Sequence, residues 1–270
     1  MHKKFFVIVL ITTTLLFSMD EPDQIQKPKS QPLQLQTTLG FTLTAGNSDT
    51  RILTIDSDIK KPFERFIYYT KFNLAYGTSK YGNGPRIETT NNWTISTRID
   101  WFTTDKRKSY LFISTGLSGN KFRGYWSRRN VQLGAGYNFF YNIDTLKLKI
   151  GLGVDYSKDN LVVSGSSDDE IFFALLKPEF EIIFNKNIKF GNNANCFVDF
   201  QQFENYRINS QTYLNFKITN RFAVSFNFTL NYDNKPRMIP EIGETGKPTG
   251  KLILAKPADK IFNIGISISV

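Results

Sequence analysis

The chain has 270 residues, 15% of them aromatic, a net charge of +10 and a mean hydropathy of −0.30. That hydropathy fits a soluble protein, and equally a protein whose lipid contact is spread over alternate residues. His2 is the only histidine and Cys196 the only cysteine, so an intrachain disulfide is excluded.

Residues 1–19 open with His2, Lys3 and Lys4, then run apolar from Phe5 to Phe17. A basic start followed by a short apolar stretch is the layout of a secretory signal peptide, with cleavage expected near Ser18 to Asp20. Its removal leaves a net charge of +8 and no histidine. A Ser-His pair, an imidazole general base and a histidine metal site are then impossible. Export also argues against the nucleic-acid partner that a positive charge would otherwise suggest. Residues 20–34, rich in Pro, Gln and charge, have no periodicity and read as a flexible periplasmic lead-in.

From residue 35 the pattern changes to strict alternation, the period of a strand. Leu35, Leu39, Phe41 and Leu43 open it, the turn "GNSD" (46–49) follows, and Leu53, Ile55 and Ile59 continue it. Phe66, Tyr68, Phe72, Leu74 and Tyr76 share the next apolar face, then Ile87, Trp93, Ile95, Ile99 and Trp101. The segment 109–117 is apolar on both faces, so its phase stays open. Alternation returns at 131–141 and 146–156, and further strands fit at about 171–184, 188–203, 209–218, 221–233 and 259–270. About twelve strands result, with no convincing amphipathic helix.

The connections differ in kind. Short turns at 61–64, 103–107, 142–145, 185–187 and 219–220 alternate with mostly longer links, including 78–85, 118–127, 158–169 and 234–258. Tight turns on one side and long loops on the other mark an outer-membrane barrel, as does an apolar face ending in Tyr76, Trp93, Trp101, Tyr141, Tyr156 and Tyr232. Residues 35–270 are therefore expected to form one all-β domain, a single antiparallel transmembrane β-barrel of about 12 strands. A soluble periplasmic β-sandwich binding protein is the rival reading.

On these phases the lumen carries Lys71, Arg98, Lys147, Lys149 and Lys217 against Asp56, Asp58, Glu88, Asp100, Asp155, Glu179, Glu181, Asp199 and Asp233. The candidate lumen-lining set is Lys71, Glu88, Arg98, Asp100, Lys149, Asp155, Glu179 and Glu181. Mixed signs favour salt bridges across the lumen, and the acidic surplus predicts a weak cation preference for any pore. Lys121, Arg123, Arg128 and Arg129, in a basic and aromatic stretch on the outer side, are the candidate contacts to anionic surface lipid.

Other motifs carry less. "GAG" (134–136) and "GLG" (151–153) do not complete a nucleotide-binding loop and are expected to thin the inner wall. "DSD" (56–58) and "SSDDE" (166–170) do not match a calcium loop and read as solvated acids. Cys196 reads as a free buried thiol. No catalytic, cofactor-binding or metal-binding residue is expected, no cofactor, and no enzyme activity.

"LGFTLTAGNSDT" (39–50), a Trp-bearing strand after it, "RRNVQLGAGYNFF" (128–140) and "GLGVDY" (151–156) together resemble the YdiY-like family of salt-induced outer-membrane proteins, a domain of unknown function. The resemblance spans about 35–270. It implies a Gram-negative-type outer membrane, with lipid and the barrel-assembly machinery as partners, and a link to salt response. Many barrels end in an aromatic residue; this chain ends in Val270. The two functional expectations are a small passive pore and a plugged structural or surface-interaction barrel.

Overall fold

The computed structural model describes residues 33–44, 48–81, 84–104, 106–140, 145–163, 169–219, 221–243 and 248–269. The expected signal peptide, most of the lead-in, Tyr141, Val270 and parts of the 46–49, 142–145 and 166–170 segments lie outside them.

Fourteen strands follow in order. They are β1 (Gln34–Thr44), β2 (Ser48–Pro62), β3 (Phe66–Tyr81), β4 (Ile87–Phe102), β5 (Ser109–Asn120), β6 (Tyr125–Asn138) and β7 (Leu146–Leu161). The rest are β8 (Asp169–Asn185), β9 (Ile188–Asp199), β10 (Tyr206–Lys217), β11 (Phe222–Asp233), β12 (Met238–Ile242), β13 (Pro248–Leu254) and β14 (Ala258–Ser269). Twelve of them close into one antiparallel barrel, because β14 pairs with both β1 and β11. The closing seam pairs Gln36–Gly40 of β1 with Gly265–Ser269 of β14, and closure of this kind satisfies backbone groups that an open sheet edge would leave free. β12 and β13 pair only with each other and form a hairpin above the barrel end.

The polarity of the wall is inverted relative to a water-soluble fold. Leu39, Phe41, Leu111, Leu133, Leu152, Phe262 and Ile266 each expose half or more of their surface outward. Their inward neighbours include Asp100, Asp155 and Asp159, each 1% exposed, and Ser225 and Ser267, fully buried. Burying one such aliphatic or aromatic side chain is worth about 1.5–3 kcal/mol. A continuous belt of them left in water would far exceed the few hundred Å² that soluble monomers expose. This geometry fits a lipid-facing barrel and argues against the sandwich.

Aromatic pairs mark both rims of the belt. Phe66 stacks on Trp101 and on Phe63 at the end with the tight turns. Tyr156 meets Phe172, and Tyr206 meets Tyr232, at the hairpin end.

The unresolved phase of 109–117 is settled within β5: Tyr110, Phe112 and Ser114 point inward and are buried, while Leu111 and Ile113 point outward. The links at 78–85, 118–127 and 158–169 begin as strand, since β3 runs to Tyr81, β5 to Asn120 and β7 to Leu161. Above the lipid belt both faces are polar, so pairing continues where hydropathy no longer alternates. The 234–258 link holds the β12–β13 hairpin, whose Pro240 and Pro248 sit in a two-stranded ribbon that tolerates proline better than a central strand does. Cys196 is a free thiol but only half-buried, in outward phase on β9.

The glycines of "GAG" and "GLG" lie on the inner face, where Gly134 pairs with Gly153 and Gly136 with Gly151. A side chain at Gly136 would run into the Tyr110 ring, and one at Gly134 into Phe112 and the Leu152 carbonyl. The bare wall of β6 and β7 thus accommodates two rings from β5. These rings belong to an apolar cluster inside the barrel with Ile67, Phe102, Phe173, Leu175 and Phe197.

Candidate functional site in the barrel lumen

Inward side chains divide the lumen into a filled half and a polar half. The filled half lies against β4 to β8. Near the tight-turn end, Arg98 on β4 donates from Nε to Asp100 at 2.5 Å and from Nη1 to Glu179 on β8 at 2.7 Å. Three strands separate β4 from β8, so this pair crosses the lumen. Lys149 approaches the other Glu179 oxygen at 3.9 Å. The Arg98 guanidinium lies 5.0 Å from the Phe112 ring centre and 5.7 Å from that of Tyr110. Lys147 donates to Glu181 at 2.7 Å, and Glu181 also accepts from Tyr213 at 2.9 Å.

One level higher, Lys177 donates to Gln132 at 2.9 Å. Gln132 and Asn130 in turn donate to Asp155, which also accepts from Ser157. Toward the hairpin end, Arg128 grips Asp159 with two bonds of 2.7 Å. Arg237, just before β12, reaches down to Asp159 at 2.6 Å and donates to Asp169 at 2.8 Å. Burial lowers the pKa of the Arg237 guanidinium from its ordinary value, an effect that Asp159 and Asp169 oppose.

The polar half lies against β2 to β4, β9 to β11 and β14. Thr54, Asp56, Asn73, Asn92, Thr94, Asn193, Asn195, Asn209, Asn231 and Asn263 line a cavity of about 260 Å³ there. Asp56 accepts from Asn73 at 2.6 Å, and Lys71 approaches Asp58 at 3.7 Å. A second cavity of about 200 Å³ lies toward the hairpin end, and a third of about 270 Å³ beside Arg98 and Glu179. Ser96 and Asn195 line all three, so the spaces adjoin within the lumen, the second and third reaching into the filled half.

All eight candidate lumen residues are accounted for. Lys71, Arg98, Asp100, Lys149, Asp155, Glu179 and Glu181 stand in the network just described, and Glu88 meets Lys121 at 2.5 Å at the rim.

The four surface-lipid candidates are split, and two need correction. Arg123 and Arg128 face the lumen. After β5, Asn120 accepts from the Phe122 N–H, and residues 121–123 form a tight 3-10 turn closed by Gly124 at φ +89°. That turn carries Arg123 inward, where it is 9% exposed, 3.8 Å from Asp233 and from Asp259. A register shift between Tyr125 and Ser127 then resets the phase of β6, so that both Tyr125 and Arg128 face in. Lys121 is held by Glu88. Arg129 alone of the four is exposed on the outer face, in a shallow groove with Trp93, Ile95 and Leu117.

Sequence phasing also missed Lys177 and Arg207 on the inner face. With Arg123 and Arg128 they narrow, without removing, the acidic surplus behind the expected cation preference, since Asp159 also faces inward. Lys217 lies exposed at the tight-turn end of β10. Among the described residues, no group of three or more His, Cys, Asp or Glu side chains could hold a metal ion.

A closed twelve-stranded antiparallel barrel, apolar outside and polar within, is the class that fold and lumen define. The chain belongs to the family described as "Protein of unknown function, DUF481", whose profile matches residues 37–239. A comparison with the curated proteins finds no match. Among solved structures, the chain is similar to the NanC porin at 8% identity and a TM-score of 0.48, covering 86% of this chain and 98% of that one. It is also similar to the COG4313 outer membrane channel from Pseudomonas putida F1 (10% identity, TM-score 0.45, covering 92% and 99%). A third is the translocator domain of the autotransporter NalP from Neisseria meningitidis (13% identity, TM-score 0.44, covering 87% and 86%).

Proposed function

We propose that the protein is a narrow passive pore for small hydrophilic solutes in a Gram-negative-type outer membrane. In this reading the tight turns and both termini face the periplasm, and the β12–β13 hairpin stands outside. The carrying observation is the run of three adjoining cavities, joined at Ser96 and Asn195, among the ion pairs and rings that fill the rest of the lumen. Barrels of about 8 strands are filled and those of 16–18 hold open channels, so a twelve-stranded barrel half-filled by side chains supports a restricted path. Amide and hydroxyl groups dominate the middle cavity, and charged side chains line the cavities on either side of it, which suits small hydrophilic solutes. A cation preference is not part of this reading, because lumen arginines and lysines offset most of the acids.

No enzyme activity is proposed, since the mature chain lacks the histidine on which most nucleophile activation depends. A link to salt response rests on the family resemblance alone, and outer-leaflet anionic lipid remains a proposed partner through Arg129.

Liposome swelling with refolded protein tests the path. Small sugars are expected to enter, and Asn195→Trp, which fills the junction, is expected to slow entry at least several-fold. Equal swelling of wild-type and Asn195→Trp liposomes would place the path elsewhere. A lack of swelling with folded protein would favour the plugged barrel.

A further inference from the structure

The upper cavity, about 200 Å³ and nearest the hairpin end, is lined by more positive than negative side chains. Arg123, Arg128, Lys177 and Arg207 contribute four positive side chains to its wall and Asp155 the one carboxylate, while Asp159, Asp233 and Asp259 stand behind the arginines. Asp155 is already occupied, accepting from Asn130 at 2.9 Å, Gln132 at 3.0 Å and Ser157 at 2.5 Å.

The guanidinium groups are not all satisfied. Arg207 is 5% exposed and its Nε lies 3.3 Å from Asp233, yet that nitrogen has no hydrogen-bond acceptor because the N–H does not aim at the carboxylate. Arg123 Nη2 is 3.8 Å from the same Asp233 oxygen and is likewise buried without an acceptor. Two buried charged donors short of acceptors carry a real free-energy penalty, and such groups call for an occupant. Nearby, the register shift in β6 turns both Tyr125 and Arg128 inward, and the Arg128 guanidinium stacks 4.3 Å from the Tyr125 ring centre. That stacking fixes the guanidinium and leaves an aromatic face at the cavity wall.

We propose that this cavity is a binding station for the anionic group, carboxylate or phosphate, of a small polyhydroxylated solute. Arg207 and Arg123 donate to the oxyanion, Tyr125 offers its ring to a sugar-like face, and the amides of Asn209 and Asn231 bond hydroxyl groups. The site does not depend on passage through the barrel. A sealed lumen could still bind at this level, and an open one need not.

Calorimetric titration of the refolded full chain in detergent, with sodium glucuronate, inorganic phosphate and glucose as separate probes, tests the site. Glucuronate is expected to bind at least tenfold more tightly than glucose. Arg207→Gln and Arg123→Gln are each expected to weaken it by about tenfold or more, the size of a lost charge-assisted hydrogen bond. Asp233→Asn is expected to strengthen binding, because it removes the carboxylate that competes for both guanidinium groups. Phosphate binding with the same variant pattern, but no glucuronate binding, assigns the site to phosphate; the reverse assigns it to carboxylate. The proposal is overturned if glucose binds as well as both anions. It is equally overturned if the two arginine variants, shown folded by heat-modifiable gel migration, bind as the wild type does. Liposome swelling reads the pore independently, so failure of one reading is not failure of the other.

Discussion

Arg98 holds the lower lumen together, and it shows what a single side chain decides. Its guanidinium is 13% exposed and binds Asp100 and Glu179 at once. Removing it strands two carboxylates with only the more distant Lys149 and Lys177 near them, and breaking a buried pair from one side costs about 3–5 kcal/mol. Residual solvent in the lumen puts Arg98→Gln at the lower edge of that range. Glu179→Gln alone is expected to cost less, and the double variant less than the sum, because neither then leaves an orphaned charge across the gap. Urea unfolding of the four proteins, followed by tryptophan fluorescence, measures the cycle; strictly additive losses would show that the two residues do not act across the lumen.

At this scale the sequence was informative wherever period two held. Alternation alone placed Arg98, Asp100, Lys149, Asp155, Glu179 and Glu181 on one face, because each lies in a strand whose outward residues are strongly apolar. It failed at Arg123 and Arg128 for a physical reason. A 3-10 turn and a bulge interrupt the period within eight residues, and neither leaves a hydropathy signature. Arg207 lies just before the 209–218 segment, although Tyr206 and Ile208 already alternate with it as β10 begins at Tyr206.

The strands themselves outrun their signature. The apolar belt occupies only the part of each strand that faces lipid, so β3, β5 and β7 extend beyond it with both faces polar. Long links read from the sequence therefore shrink, and the contrast between the two barrel ends rests chiefly on the 234–257 connection. Within it, the β12–β13 hairpin was hidden by Pro240 and Pro248, residues that argue against a central strand.

Arg237 ties this hairpin to the barrel, through Asp159 at 2.6 Å and Asp169 at 2.8 Å, and its side chain packs beside Gly124. Arg237→Ala is expected to loosen the hairpin while leaving the barrel closed. Limited proteolysis should then cut within 238–254 several-fold faster, with barrel resistance and heat-modifiable migration unchanged. Unchanged cleavage would mean that other contacts hold the hairpin in place.

For the molecule as a whole, the inverted polarity and the closed wall were legible from residue 35 onward, because the strand period and the outward belt are properties of composition along each segment. Whether the lumen is open was not legible. Strand number sets the barrel's girth, but the contents depend on side chains from strands far apart in sequence, such as Arg98 with Glu179, or Tyr110 over Gly136. Those contacts fill part of the lumen and leave polar cavities adjoining beside them. A path through those cavities is the central claim. Planar-bilayer recording of the refolded chain tests it most directly. Small, steady conductance steps with little preference between cation and anion are the predicted result. Silent bilayers from protein that is demonstrably folded and inserted would contradict it.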